Sequence, residues 1–410
     1  MEVGVESDIR KLIVKHGKIA FAEFMEMALF SPRGGYYTSR EHAKEKDYYT
    51  APVAHPIFGA LVALQLEQMW ERMGSPSPFY VLEAGASGGV LAGDILAYSS
   101  SLPSGFSDAL EYIGIDYDVP NGSPQDANFI KASGLPFRNL VGCVLSNELF
   151  DAFPVHRFAI QDGRVKEVYV TLKEDEFAEV TDEPSTPRLE QWLSGLGLDL
   201  PEGFRGEVNL AMDDWIYELS QVLKQGFVLT FDYGHMAQDM YSSMRSRGTL
   251  RCYYRHLLEG NPYRRIGHQD ITAHVDFTSL MRSGEEHGLA SVGYTTQKEF
   301  LRNIGFLGFL ESLGERQLPQ RERDANRMGM LELVKDGEMG DFKVCAQAKD
   351  FDYDTKLFGF DTDSPLRMSK DKNFPPLPLL SAEHLDLMAG SYPHLSWEWE
   401  DMWPFRKEGQ

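Results

Sequence analysis

The chain has 410 residues, 42% of them hydrophobic, and a formal net charge of −22. That apolar share fills a sizeable core and excludes global disorder. The charge argues against sequence-independent nucleic-acid binding, which needs basic patches against phosphate, and it suits a basic partner.

The length fits one large domain with insertions, or two domains. Cys143, Cys252 and Cys345 are far apart, odd in number and free of metal-ligand spacing. They read as reduced core residues and predict a reducing, cytoplasmic location. The first residues lack the basic and apolar regions of a signal peptide. No stretch approaches the roughly 20 apolar residues of a membrane span.

In chain order, apolar spacing predicts helix over 5–30 and again over 56–71, with a Gly-Tyr-Tyr loop and Asp47-Tyr-Tyr-Thr-Ala-Pro52 between them. A strand at 79–84 and a helix at 89–99 flank the small-residue loop Gly85-Ala-Ser-Gly-Gly89. Strands follow at 111–116 and 142–147, with little or no crossover helix between them. Alternation of this kind predicts a mainly parallel sheet with helices on both faces. A hairpin is expected over 157–172, turning at Asp162-Gly163. Residues 173–205 read as acidic and irregular. Helix is expected at 210–224, a buried strand at 227–231, helix at 273–287, strand at 289–294 and helix at 297–310. An antiparallel pair is expected at 329–334 and 342–347. After about 350 the texture changes to an extended segment with aromatic anchors, Trp397-Glu-Trp-Glu-Asp-Met-Trp403.

The chemistry concentrates at strand ends. Glycines in the loop after Glu83 permit positive φ and close approach of a ligand to the backbone. The loop does not match the dinucleotide pattern Gly-x-Gly-x-x-Gly cleanly. An acid does end the next strand, Asp116, with Asp118 as a near alternative, and a carboxylate there suits ribose hydroxyls. No basic residue flanks the loop to meet a pyrophosphate, and Glu83 would repel one. A cofactor with ribose, a cationic centre and no phosphate fits better: S-adenosylmethionine. The segment Asn147-Glu-Leu-Phe-Asp-Ala-Phe-Pro154 follows a buried strand, where Asn147, Glu148 and Asp151 can orient and desolvate a nucleophile or, more plainly, cap the next helix. Asp232-Tyr-Gly234 occupies the equivalent position of a later strand. His268, Asp270, His274 and Asp276 are polar-dense but poorly spaced for a metal, so capping by Asp270 or Thr272 is expected there and no metal. A rival reading makes Ser87 the nucleophile of a hydrolase elbow, Gly-x-Ser-x-Gly. His156, His235, His256, His268 and His274 are then possible bases.

These motifs, in this order, resemble the MidA-like family of class I methyltransferases, whose mitochondrial members assist assembly of respiratory complex I. Gly34-Gly-Tyr-Tyr, Asp47-Tyr-Tyr-Thr-Ala-Pro and Ile57-Phe-Gly59 are similar to its N-terminal segments. Glu83-Ala-Gly-Ala-Ser-Gly-Gly-Val-Leu91 is similar to its cofactor loop, and Asn147-Glu-Leu-Phe-Asp-Ala-Phe-Pro-Val-His156 to its central motif. Asp232-Tyr-Gly234, Gly248-Thr-Leu250, His256 and Gln269-Asp-Ile-Thr-Ala-His-Val-Asp-Phe277 complete the series. The resemblance implies a Rossmann-like class I methyltransferase sheet, α/β in class, with an N-terminal helical segment and an α+β insertion. The boundaries expected are a helical cap over 1–75, a core over 76–350 with insertions at about 157–215 and 240–285, and an extension over 351–410. It further implies methyl transfer from S-adenosylmethionine, with a protein arginine as acceptor and a possible homodimer. The residues expected to hold the cofactor are Tyr37, Tyr49, Thr50, Glu83, Gly85, Ser87, Gly89, Asp116 and Asn147. Those expected to act on the acceptor are Glu148 and Asp151, with Asp232 and His156 behind them. Two departures stand out. Ser87 and Ala86 replace a glycine and a proline of the family loop, and the segment after Asp116 lacks the usual helix. A side chain at 87 predicts crowding of the cofactor, and a non-catalytic assembly protein on the same scaffold is the alternative.

Overall fold

The computed structural model describes residues 4–39, 50–102, 104–118, 127–254, 257–351, 356–367, 376–381 and 384–385. The chain divides into two compact units, one comprising 48–148, 219–232 and 288–410, the other 1–47, 149–218 and 233–287. The helical cap expected over 1–75 is thus split near residue 47.

The first of these units, the sheet unit, is built on seven strands. They are β1 Phe79–Ala84, β2 Leu110–Asp116, β3 Ala127–Lys131, β4 Leu140–Asn147, β5 Leu223–Asp232, β6 Ala290–Thr296 and β7 Lys343–Lys349. Their order is β3-β2-β1-β4-β5-β7-β6. The β1, β2, β3, β4 and β5 pairings are parallel, while β7 runs antiparallel to both β5 and β6. This is the class I methyltransferase sheet that the motifs imply. Its order reverses direction between β1 and β4, which opens a crevice at the carboxyl ends of those strands. Apolar runs such as Val81, Val144 and Leu229 are buried on both faces, as parallel strands under helices require. The helix Ile57–Arg72 is buried on nearly every side, which accounts for its continuous apolar sequence. Gly59 lets it close on the helix Val90–Ser99: a Cβ there would stand 2.4 Å from that of Asp94.

The extension after 350 is part of this unit. Phe351 packs on Phe227 and Phe360 on Phe300, with ring centroids 5.1 and 5.4 Å apart, and Leu357 and Leu377 are buried. Further along, His384 joins Asp94 through Nε2 at 3.0 Å and Ser381 through Nδ1 at 2.7 Å. Ser381 Oγ also accepts the His384 amide, so this serine–histidine–aspartate string pins the segment down. The expected anchors Trp397 to Trp403 lie outside the described residues.

The second unit, the insertion unit, carries a five-stranded antiparallel sheet. The hairpin His156–Gln161 with Arg164–Lys173 is as expected, with Asp162 and Gly163 both at positive φ, as a two-residue turn demands. A smaller sheet joins Leu257–Glu259, Arg251–Tyr254 and Asp270–Thr272.

Several expected elements differ. Residues 5–30 form two helices, Val5–His16 and Phe21–Phe30, because Gly17 at φ 83 ends the first and Ile19–Ala20 pairs as an edge strand. Residues 173–205, expected to be irregular, hold the strand Glu176–Asp182 and the helix Pro187–Gly195, capped by Thr186; their charge marks solvent-facing sides. The helix expected at 273–287 starts only at Phe277, where Asp276 accepts the Thr278 and Ser279 amides. The cap is therefore Asp276, not Asp270 or Thr272. Helix 297–310 is broken at Gly305, φ 108. The apolar run 329–334 forms the end of the helix Gln320–Glu332 and the turn after it, since a short apolar run has no period of its own to separate strand from helix. β7 pairs instead with β5 and β6.

Candidate functional site

The carboxyl edge of the sheet gathers Glu83, Asp116, Asn147 and Asp232 at the ends of β1, β2, β4 and β5, neighbours in the order β2-β1-β4-β5. Glu83 is 3% exposed, and the Tyr112 hydroxyl donates to its Oε2 at 2.8 Å. Burial pushes its carboxyl from 4.5 up to about 8; the Tyr112 hydrogen bond opposes this and the nearby Asp116 charge adds to it. Tyr112 was not among the expected site residues, because a strand buried on both faces carries no alternation to single it out.

The loop after β1 turns through Gly85 (φ 74), Ser87 (φ 45) and Gly89 (φ 77). Gly89 precedes the helix Val90–Ser99 in the left-handed region, where a side chain costs free energy. The loop is drawn onto β2. The Gly85 and Ala86 amides donate to the Ile115 carbonyl at 2.9 and 3.1 Å, and the Ser87 amide donates to Asp116 Oδ2 at 2.7 Å. Asp116 Oδ1 takes the Tyr117 amide at 2.6 Å. Burial raises the Asp116 carboxyl and these amide hydrogen bonds oppose it. Each oxygen keeps further lone-pair capacity for a ribose hydroxyl. Gly85, Ser87 and Gly88 are exposed, so the loop presents backbone and the start of a helix to solvent.

Asn147 donates to Glu148 Oε1 at 3.0 Å, and its own Oδ1 is buried with no hydrogen-bond partner among the described residues. Glu148 stands at φ 50, held there by its amide on the Phe231 carbonyl at 2.8 Å. Such strain in a non-glycine residue persists where surrounding structure fixes it, commonly at functional sites. Asp232 is fully buried. Thr50 starts the helix Ala51–Ala54, where its carbonyl takes the Val53 and Ala54 amides. Tyr49 and His256 lie outside the described residues. An orphaned amide oxygen, a buried carboxylate and an exposed glycine loop fit a group that carries donors and positive charge.

The other expected residues belong to the insertion unit. Asp151 is 5% exposed, and the Tyr233 hydroxyl donates to its Oδ2 at 2.5 Å. Burial pushes its carboxyl up to about 6 against that hydrogen bond. The Tyr37 hydroxyl donates to Asp270 Oδ1 at 2.9 Å. His156 is tied through Nδ1 to Glu167 Oε1 at 2.7 Å. Burial favours the neutral Glu167 carboxyl, but hydrogen bonds from His156 and Ser185 outweigh it and hold the group low. The His156–Glu167 bond ties the first strand of the hairpin to the second. Among the described residues no group of three or more metal-ligating side chains comes together, and no histidine is bonded to Ser87.

A parallel sheet with one reversed strand, a glycine loop after β1 and an acid closing β2 together define a Rossmann-like methyltransferase fold. The chain belongs to a family of S-adenosyl-L-methionine-dependent methyltransferases, whose profile matches residues 61–295. It is 29% identical over 370 residues to the mitochondrial protein arginine methyltransferase NDUFAF7 homolog of Drosophila melanogaster, covering 81% of this chain and 82% of that one. It is 27% identical to the mitochondrial protein arginine methyltransferase NDUFAF7 of Homo sapiens, over 79% and 78%. A crystal structure of a candidate methyl transferase from Burkholderia thailandensis, bound to S-adenosyl-homocysteine, superimposes with a TM-score of 0.76 at 28% identity, covering 87% of this chain and 94% of the other.

Proposed function

We propose that this chain methylates an arginine side chain of a protein, with the sheet-edge residues Glu83, Gly85, Ser87, Gly89, Asp116 and Asn147 holding S-adenosylmethionine. The observation that carries the acceptor class is the similarity to two proteins named as protein arginine methyltransferases. Buried acids in the Asn147–Asp151 motif support it. Bound S-adenosylmethionine supplies an electrophilic methyl group on a cationic sulfur. Glu83 suits the positive charge, and Asp116 suits the ribose.

A guanidinium has a pKa above about 12, so it is a weak nucleophile until carboxylates orient it and take its proton. As the nitrogen–carbon bond forms, the carbon–sulfur pair stays on sulfur and one nitrogen proton leaves. Asp151 accepts that proton, its carboxyl raised towards the working pH by burial, as a general base requires. Glu148 orients the acceptor. Much of the rate then comes from positioning. Ser87 takes the place of a glycine, yet the residue is exposed and its amide closes the loop on Asp116, which favours an enzyme over an empty scaffold.

The test incubates the full-length protein with S-adenosylmethionine and an extract of the source cells, and maps methylation by mass spectrometry. Methylarginine is expected, lost in Glu148→Gln and Asp151→Asn while calorimetry still detects cofactor binding. Methyl groups found only on other residue types remove the arginine reading. For location we propose the cytoplasm, supported by three buried free cysteines; the relatives' mitochondrial names favour the other compartment, and cell fractionation decides.

A further inference from the structure

The motif Gln269-Asp-Ile-Thr272 was expected only to cap a helix, and the structure gives it a different place. Asp270–Thr272 is a short strand. Alternation along a strand puts Asp270 and Thr272 on one face and Ile271 on the other, where Ile271 is fully buried. The Asp270 face meets Tyr37, whose hydroxyl donates to Asp270 at 2.9 Å. The strand's end is tied to Asp151, because the Ala273 amide donates to the Asp151 carbonyl at 2.9 Å. Tyr37 senses both acids: after desolvation, the charges of Asp270 and then Asp151 hold its hydroxyl well above its ordinary range. All of these residues lie in the insertion unit.

Two acceptor-capable atoms in this cluster have no partner among the described residues, Asp151 Oδ1 and Thr272 Oγ1. Their residues are 5% and 1% exposed. A buried polar atom left unpaired costs about 1–3 kcal/mol, more if charged, so native structures nearly always supply a partner. A partner that donates several hydrogen bonds and carries positive charge suits these oxygens beside two carboxylates. A guanidinium does this, with five N–H groups in one plane. An ammonium is a compact point charge with three donors and matches a spread of oxygens less well.

We propose that Asp270 and Thr272, together with Asp151, form the seat for the acceptor guanidinium, with Thr272 and Asp270 selecting arginine over lysine. This rests on the arginine reading above. It adds two binding residues to the site and explains why an acid and a hydroxyl alternate in that motif.

The probe is ethylguanidinium chloride, titrated into the full-length protein with S-adenosyl-homocysteine present and compared with ethylammonium chloride. Ethylguanidinium is expected to bind at least fivefold more tightly. Thr272→Val keeps the side-chain volume and removes a hydroxyl that bonds nothing, so folding is expected to be retained; the loss in ethylguanidinium affinity should be fivefold or more. Asp270→Asn should lose tenfold or more. With an arginine substrate, Thr272→Val should raise KM more than it lowers kcat, a split that a purely structural hydroxyl would not produce. Equal affinity for the two cations, no binding of ethylguanidinium, or wild-type affinity in Thr272→Val overturns the proposal. Methylarginine formed by Thr272→Val at the wild-type KM overturns this seat and leaves the arginine reading standing. Methylation confined to other residue types, with the seat still binding ethylguanidinium, does the reverse.

Discussion

Replacing Glu83 by Gln isolates one buried carboxyl at the centre of the cofactor edge. Glu83 is 3% exposed and its carboxyl is pushed by burial from 4.5 to about 8. In the unfolded chain the group ionises near its ordinary value, while in the fold it stays protonated until pH approaches 8. Its contribution to stability is therefore fully present at low pH and is lost as pH rises through the window from 4.5 to about 8. Each pH unit is worth about 1.4 kcal/mol, so the whole window amounts to about 5 kcal/mol at most. Gln does not titrate, and its amide oxygen still accepts the Tyr112 hydroxyl. Glu83→Gln is thus expected to match the wild type near pH 4.5 and to gain on it steadily until about pH 8. Thermal unfolding of both proteins at a series of pH values reads this, at roughly 2–4 °C per kcal/mol for a unit of this size. The same carboxyl should help bind a cationic cofactor once ionised. Calorimetry in buffers of different ionisation enthalpy should then show proton release on S-adenosylmethionine binding, absent in the variant. A melting difference that stays constant from pH 5 to pH 8 refutes the argument.

Two further outcomes follow from the geometry. Ser87→Gly removes a side chain at φ 45. The left-handed strain relieved is about 1–2 kcal/mol, and the added freedom of the unfolded chain takes back about 0.4–1. The melting temperature should therefore hold or rise slightly while calorimetry shows tighter cofactor binding; unchanged affinity would remove the crowding argument. His384 and Asp94 have side chains only 5% and 13% exposed. A double-mutant cycle on His384→Ala and Asp94→Asn should give a coupling of about 1–3 kcal/mol in unfolding free energy and faster proteolysis of the segment after 350, whereas additive effects would mean that the string does not pin it.

The strands β1, β2, β4, β5 and β6, the glycine loop and the acids ending β1 and β2 were legible in the sequence. Each is a local pattern: an apolar run ending in a small-residue turn has few other conformations open to it. Glu83, Asp116, Asn147 and Asp232 could be placed at strand ends from the sequence, and a parallel sheet must carry all such ends to one edge. The breaks at Gly17 and Gly305, and the helix Gln320–Glu332, were not legible, because short apolar segments fit strand and helix equally until they find a partner.

Tertiary structure alone decided how each polar group is used. His156, spelled within the same motif as Asp151, is taken up by Glu167 eleven residues later, across a hairpin. Asp270, read as a cap, is brought instead to Tyr37, and the neighbouring Ala273 amide to the Asp151 carbonyl, each more than a hundred residues away in sequence. Local sequence determines which backbone shape a segment prefers. It does not determine which oxygens are left buried and unpaired, because that depends on where distant donors end up.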